Sequence, residues 1–287
     1  MTRATATSIG FVAVLLWALL ALFTAGSAPV PPFQLNALTF AIGGTVGVVW
    51  VLLRGRLSVL RGVSWRIYAF GTAGLFGYHA LYFSALRLAP PAEAGLIAYL
   101  WPLLIVLFSG LLPGEHLRRG HIIGALISFA GAALIVLRNG ASFDPAATPG
   151  LILAALCALT WSTYSVVSRR MGNTPTEVVA VFCVLTALLS VPAHLALETT
   201  VWPATGFGWL SVLALGSGPV GLAFYVWDIG VKKGDIQVLG VASYAAPLLS
   251  TFVLIAAGFA QASWQLIGAA ILITVGAAIA AWASRTT

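Results

Sequence analysis

The side chains able to do chemistry in this sequence are few, and they stand inside long apolar stretches. Tyr78 and Tyr82 are four residues apart and therefore share one face of a helix, with His79 beside them. A histidine inside an apolar span is costly to bury, so it is a candidate for binding a carboxylate or relaying a proton. A neutral, hydrogen-bonded histidine with a structural role is the alternative.

Three tryptophans lie near the middle of apolar stretches, although tryptophan in membrane proteins usually lies at the interfaces. They are Trp17, Trp101 and Trp161, and Trp161 shares a helix face with Tyr164. An indole N–H in hydrocarbon needs a partner, so we expect these rings to face the protein interior or a wet cavity. Simple packing between helices is the alternative.

These aromatic side chains, with Tyr99 and Tyr244 from two further stretches, form a set suited to line one central cavity. Such a lining fits a molecule with a flat apolar body and a few polar groups, through edge and face contacts between rings. For each tyrosine, a hydrogen bond between helices is the alternative. The candidate substrate-binding residues are Trp17, Tyr78, His79, Tyr82, Tyr99, Trp101, Trp161, Tyr164 and Tyr244.

Two prolines, Pro102 and Pro247, also lie in the middle of apolar stretches. Proline lacks a backbone N–H, frees the carbonyl four residues back (here Ala98 and Ser243) and bends the helix. Proline at matching places in two helices predicts a pair of hinges, with freed carbonyls that can face a bound molecule. A static kink that only shapes packing is the alternative.

The remaining polar groups of the apolar stretches have structural explanations. Asp228 stands four residues before Lys232, which predicts a local ion pair or an interface anchor; a carboxylate that couples transport to an ion is the alternative. Glu93 stands where a carboxylate favours a helix N-terminus. Cys157 and Cys183 are expected to be buried apolar thiols. The sequence contains no Gly-rich phosphate loop, HExxH or CxxC pattern, so we expect no catalytic residue, no cofactor and no metal.

The composition indicates that most of the surface faces lipid. Charged residues make up 7% of the 287, whereas a soluble domain carries about 25%, and hydrophobic residues make up 60%. The mean hydropathy of +1.02 agrees with this. The net charge of +7 comes from short basic clusters between apolar runs, so it indicates membrane topology and argues against binding of nucleic acid.

Ten apolar stretches are long enough to cross a bilayer as helices, since a span needs about 20 mostly apolar residues. Their connections are too short to hold a soluble domain, which predicts an all-α protein with one transmembrane domain over residues 1–287. The predicted spans are 9–25, 33–53, 66–87, 92–112, 121–138, 150–168, 176–197, 206–230, 236–258 and 263–283.

The basic residues predict the orientation of these spans. With the N-terminus in the cytoplasm and one crossing per span, twelve of the 14 basic residues fall inside, and only Arg87 and Arg138 fall outside. One missing or additional span would destroy this bias, so both termini are expected in the cytoplasm. A signal peptide over the first span, preceded by Arg3, is the alternative.

The sequence partly matches itself when it is shifted by 145 residues. The paired positions include Arg87 with Lys232, Gly95 with Gly240, Tyr99 with Tyr244 and Pro102 with Pro247. These matches predict two repeats of five spans, over residues 8–138 and 150–284. Because five is odd, the second repeat enters the membrane from the opposite side, as in the inverted repeats of many secondary transporters. Chance similarity between apolar helices is the alternative.

On these features the sequence resembles the drug/metabolite transporter superfamily, and within it the EamA-type ten-helix metabolite exporters. The resemblance covers about residues 8–284 and includes a tryptophan in the first span and a proline in the fourth span of each half. The midplane aromatics make the chain similar to the aromatic amino-acid exporters of bacterial inner membranes. The resemblance implies that spans 1, 3, 4, 6, 8 and 9 surround the cavity, and that spans 5 and 10 pack beside it and support dimer contacts.

The expected function is export of amino acids and related metabolites by alternating access, as a monomer or homodimer among membrane lipids. Ala245 and Ala246 stand where the first half has Leu100 and Trp101, which predicts an asymmetric cavity. Export of another metabolite or drug class, a channel and a lipid flippase are the alternatives. An intramembrane enzyme would need paired catalytic groups that the spans lack. Facilitated diffusion or weak proton coupling is expected, since the midplane holds one histidine and no carboxylate.

Overall fold

All regular structure in the described residues, 1–137, 144–258 and 261–285 of this computed structural model, is helical. A 3₁₀ turn, Pro145–Ala147, precedes the ninth helix, and a π turn, Gly218–Leu222, follows the eleventh. Arg138, one of the two basic residues expected outside, lies outside the described residues. The helices are α1 Arg3–Trp17, α2 Leu20–Gly26, α3 Pro32–Leu53, α4 Leu57–Arg61, α5 Trp65–Leu88, α6 Pro91–Ala98, α7 Trp101–Ser109, α8 Arg119–Val136, α9 Thr148–Arg170, α10 Val178–Leu197, α11 Gly206–Ser217, α12 Ala223–Lys233, α13 Ile236–Ala242, α14 Ala245–Ala256 and α15 Trp264–Arg285.

Eight helical segments of the described residues are long and apolar enough to cross a membrane. Some of them combine two helices, as in Arg3–Gly26 and Gly206–Lys233. Large apolar side chains point outward, such as Ile267, which is 66% exposed, so lipid is the natural surrounding solvent. The chain is therefore a multi-pass membrane protein. The predicted spans 66–87 and 92–112, which correspond to α5 and to α6 with α7, are not among the eight.

Two predicted spans are broken near their middle, at corresponding places. The span 92–112 is divided into α6 and α7, and the span 236–258 into α13 and α14. Pro102 and Pro247 lie in the first turn of α7 and of α14, where a missing N–H removes no intrahelical hydrogen bond. A proline deeper in a helix would clash with the preceding turn, so each helix stops before its proline and then restarts.

Two other predicted spans also depart from a regular helix. The span 9–25 is interrupted between α1 and α2, where the Leu19 N–H donates to the Leu16 carbonyl, three residues back, at 3.0 Å. The span 206–230 contains the π turn that joins α11 to α12. A π turn holds one residue more than an α-helical turn and is frequent at functional sites.

Helices α8 and α15 pack with their backbones close together because glycines face each other. A β-carbon on Gly276 would lie 2.2 Å from the Ser128 Oγ and 2.4 Å from the Gly124 carbonyl oxygen. Helix α3 approaches the π turn in the same way, since a β-carbon on Gly43 would lie 2.8 Å from the Gly221 Cα. In lipid no hydrophobic effect drives helices together, so this close packing is a main source of stability.

Replacing Gly276 by alanine is therefore expected to push α8 and α15 apart and destabilise the protein by about 1–3 kcal/mol. The matched control is Gly268→Ala in the same helix, where a β-carbon would lie no closer than 3.6 Å to its nearest neighbour, on Leu134. Size-exclusion chromatography after graded heating measures both midpoints. We expect a lower midpoint for Gly276→Ala only, and equal midpoints would contradict this account of the packing.

A cluster of charges lies at one end of the bundle, which we call the Arg3 end. Arg3 pairs with Glu115 at 3.1 Å and with Asp235 at 3.2 Å, and Arg169 pairs with the other oxygen of Glu115. Arg169 also donates to three carbonyls at the end of α12, which lack partners inside their helix. This cluster joins the start of α1, the segment after α7, and the ends of α9 and α12. Sequence reasoning gave these charges only a topological role.

A second polar cluster lies at the opposite end, which we call the Arg87 end. Glu198, just past α10, has a side chain that is only 2% exposed and pairs with Arg87 at 2.7 Å. It also accepts hydrogen bonds from the Phe33 and Gln34 backbone N–H groups at the start of α3, and contacts His194 at 3.0 Å. A carboxylate at a helix N-terminus is stabilised by the unpaired amides there. Sequence reasoning missed Glu198.

Candidate functional site

A cavity of ≈ 140 Å³ lies in the middle of the bundle, among the broken helices. The lining residues that α1, α2 and α5 contribute stand in the halves of these segments that lie toward the Arg87 end. The structure therefore brings together most of the predicted site residues, from four separate predicted spans. Seven of the nine line the cavity: Trp17, Tyr78, His79, Tyr82, Tyr99, Trp101 and Trp161.

The three midplane tryptophans meet around a fourth, Trp227. The ring centroid of Trp17 lies 6.0 Å from that of Trp101, 6.0 Å from that of Trp161 and 5.1 Å from that of Trp227. The Trp17 Nε1–H donates to the Pro219 carbonyl in the π turn at 3.2 Å. This hydrogen bond gives the indole N–H the partner that hydrocarbon could not supply. Trp227 is fully buried on the side toward the Arg3 end. Packed rings thus close that side of the cavity.

The second part of the lining comes from one face of α5. The rings of Tyr78 and Tyr82 stack with centroids 6.1 Å apart, which confirms that they share a face. The Nδ1 of His79 lies 2.7 Å from the Leu75 carbonyl oxygen, which only accepts, so Nδ1 carries the hydrogen. Phe40 packs against the imidazole at 5.0 Å, and apolar surroundings favour the neutral ring. Its Nε2 is then a hydrogen-bond acceptor.

Two of the nine predicted residues, Tyr164 and Tyr244, are not among the residues that line the cavity in this structure. Tyr164 shares a helix face with Trp161 and stacks on its ring at 5.2 Å, but it lies one turn further along α9, toward Arg169 and the Arg3 end. Tyr244 is fully buried in the break between α13 and α14, where its hydroxyl accepts the Leu103 N–H at 3.1 Å. Both side chains support the cavity from outside it.

The lining also contains six residues that sequence reasoning did not select for the site, all of them apolar. The 145-residue shift of the sequence could have found some of them, since it pairs Phe224 with His79 and Ala246 with Trp101. Alanine opposite tryptophan agrees with the predicted asymmetry of the cavity. The unselected lining residues are Leu20, Ala98, Pro219, Val220, Phe224 and Ala246.

The described lining contains no aspartate, glutamate, lysine or arginine. The predicted ion pair between Asp228 and Lys232 is confirmed, at 2.8 Å with both side chains buried, and it lies outside the lining. Thr176 also donates its hydroxyl to this carboxylate at 2.7 Å. Cys157 and Cys183 are buried free thiols, as predicted. The cavity therefore offers ring faces, hydroxyls and one imidazole, without a formal charge.

Comparison with known proteins agrees with this architecture. A protein named aromatic amino acid exporter YddG, from Ancylobacter novellus, is 57% identical over 99% of this chain and 100% of that protein. A protein of the same name from Salmonella typhimurium is 28% identical over 99% of both chains. A crystal structure of a 56% identical chain superposes with a TM-score of 0.95 over 99% of both chains. The model of the EamA-like transporter family matches twice, over residues 5–137 and 148–282, so this chain belongs to that family.

Proposed function

We propose that this protein is a secondary transporter that exports amino acids and related small metabolites, aromatic ones above all, across the bacterial inner membrane. The observation that carries the proposal is the central cavity, whose described lining is rich in tryptophan and tyrosine and has no charged side chain. Full-length relatives named aromatic amino acid exporter support it. Membership of the EamA-like transporter family favours transport over catalysis.

The geometry suggests how an aromatic amino acid binds. Its ring packs among Trp17, Trp101 and Trp161, which present both edges and faces. The Nε2 of His79 accepts a hydrogen bond from the ammonium group, and the hydroxyls of Tyr78 and Tyr82 donate to the carboxylate. His79 thus binds the amine, instead of the carboxylate or a relayed proton as the sequence suggested. The two charges of such a zwitterion sum to zero, which suits a chamber without charges.

The proposal makes a prediction about substrate charge. In proteoliposomes, labelled phenylalanine or tryptophan is expected to cross at least about ten-fold faster than arginine or glutamate, because burying a net charge without a partner costs several kcal/mol. Empty vesicles give the background. If no labelled amino acid, metabolite or drug crosses faster than in empty vesicles, the protein is not this transporter. Equal rates for arginine and phenylalanine would contradict the proposal that the site is free of charge, but not the proposal that the protein transports amino acids.

We further propose ten spans arranged as two inverted repeats, 8–138 and 150–284. The two family matches and the paired helix breaks support this arrangement. Arg87 reaches Glu198 just past the end of α10, whereas its repeat partner Lys232 binds the Thr174 carbonyl just before the start of α10. A 20-residue helix is about 30 Å long, so these paired residues lie at opposite ends of the bundle.

The transport cycle follows from this arrangement. Both termini are proposed to be cytoplasmic, so the Arg3 end faces the cytoplasm and the Arg87 end faces outward. Buried Trp227 and the Arg3-end cluster close the cytoplasmic side, which supports a state open outward and a carrier over a channel. Pro102 and Pro247 are the proposed hinges about which the halves reverse. Helices α8 and α15 pack beside the cavity, and their outward faces meet lipid or a second copy in a homodimer.

A further inference from the structure

The buried hydroxyl of Tyr244 joins the two broken helices at their breaks. It stands between α13 and α14 and accepts the backbone N–H of Leu103 at 3.1 Å. Leu103 is the third residue of α7, where a backbone amide has no acceptor inside its own helix. Tyr244 is fully buried, so water cannot replace its hydroxyl. Without that hydroxyl, the Leu103 N–H would be left without a hydrogen-bond acceptor.

The repeat partners of these two residues are arranged differently. Under the 145-residue shift Tyr99 corresponds to Tyr244, and Leu248 corresponds to Leu103. Tyr99 also stands in a break, between α6 and α7, but it lines the cavity. In the described part of the chain no hydrogen bond joins its hydroxyl to the Leu248 amide. The two paired tyrosines therefore occupy two different positions: Tyr244 binds between the broken helices and Tyr99 lines the cavity.

We propose that Tyr99 and Tyr244 exchange these roles during transport. The inference rests on the proposed alternating access, in which inverted repeats swap conformations between the two states. In the state open at the Arg3 end, the Tyr99 hydroxyl accepts the Leu248 N–H, and Tyr244 turns into the cavity and contacts the substrate. In each state, one tyrosine hydroxyl accepts a backbone N–H and the other contacts the substrate. The two states then make equivalent hydrogen bonds, which keeps them close in free energy.

The test replaces each tyrosine by phenylalanine, which keeps the ring and removes only the hydroxyl. The background carries Cys157→Ala, Cys183→Ala and Ile236→Cys, a fully buried position at the Arg3 end that reports opening of that end. The measured quantity is the rate of reaction with a water-soluble maleimide. Tyr244→Phe is expected to raise it about five-fold and Tyr99→Phe to lower it about five-fold, the factor that one net hydrogen bond corresponds to. The double variant returns to near the parent rate.

Other outcomes separate this inference from the proposed function. The exchange would be overturned if the labelling rate changed in the same direction in both single variants, or changed in neither of them. Size-exclusion profiles must show that both variants are folded. Opposite shifts without any amino-acid flux would retain the exchange and refute the substrate. A Tyr244→Cys variant tests substrate contact directly, since excess phenylalanine is expected to slow its labelling. Unchanged labelling with phenylalanine bound would remove Tyr244 from the substrate site.

Discussion

Trp161→Ala is expected to lower aromatic amino-acid flux by at least about ten-fold, the largest loss among the cavity residues. Trp161 is the hub of the aromatic cluster, with ring centroids 5.4 Å from Tyr78, 5.7 Å from Phe224 and 5.2 Å from Tyr164. Each aromatic pair contributes about 0.5–1.5 kcal/mol beyond its buried area, and a substrate ring adds a further pair. Truncation removes the substrate contact and lets its neighbours collapse into the gap.

The control is Trp202→Ala, because this tryptophan is 54% exposed, stacks on Trp209 at 5.8 Å and does not line the cavity described above. Its flux is expected to stay within about two-fold of the parent. Flux is measured in proteoliposomes and divided by the amount of monodisperse protein, and Trp161→Phe gives an intermediate value if ring contact is the cause. Equal losses in Trp161→Ala and Trp202→Ala would assign Trp161 a purely structural role.

Arg169→Ala is expected to open the Arg3 end of the bundle. The guanidinium donates to the carbonyls of Val231, Lys232 and Gly234 at 3.2, 3.0 and 2.7 Å and pairs with Glu115. Its loss removes one of the two arginines that pair with the Glu115 carboxylate, which is 6% exposed, and leaves three carbonyls without their donor. Hydrogen bonds to a charged group contribute about 1.5–3 kcal/mol. The closed arrangement loses that stabilisation, so the population open at the Arg3 end rises.

The measurement is the maleimide reaction rate in the Ile236→Cys background, which is expected to rise on the order of 100-fold. Arg66→Ala is the control, since Arg66 is an exposed arginine at the start of α5. Arg169→Lys tests geometry, because one ammonium cannot supply the fork that serves three carbonyls and a carboxylate. If Arg169→Ala and Arg66→Ala react at the same rate, the cluster does not hold the Arg3 end closed.

Local pattern predicted the features that depend on neighbours along the chain. Helix spacing placed Tyr78 and Tyr82 on one face, and a spacing of four residues placed Asp228 against Lys232; the structure shows both. The apolar length of the spans predicted where most of the helices run. These features follow from the 3.6-residue period of the α-helix and from the free-energy cost of placing polar groups in lipid. Both rules can be applied to the sequence without knowledge of the tertiary structure.

The features that sequence reasoning missed depend on contacts between distant segments. Glu198 meets the backbone of Phe33, 165 residues away, and no local pattern identifies that partner. The prolines indicated bends in these helices. Whether a helix bends or stops at a proline depends on which groups accept hydrogen bonds from its free backbone N–H groups. For the Leu103 N–H of α7, the acceptor is the distant Tyr244 hydroxyl. Tyr244 was expected in the cavity because its spacing matched Tyr99, yet equal sequence positions take unequal places when two repeats differ in conformation.

The uncharged lining of the cavity determines what can drive the flow. Moving one elementary charge through 100 mV involves about 2.3 kcal/mol, but a zwitterion carried past side chains without charge moves no net charge through the field. Membrane voltage then neither pulls the amino acid nor holds it back. Without a coupled ion, the concentration difference sets the direction of flow, and we expect a cell that overproduces aromatic amino acids to lose the surplus through this protein.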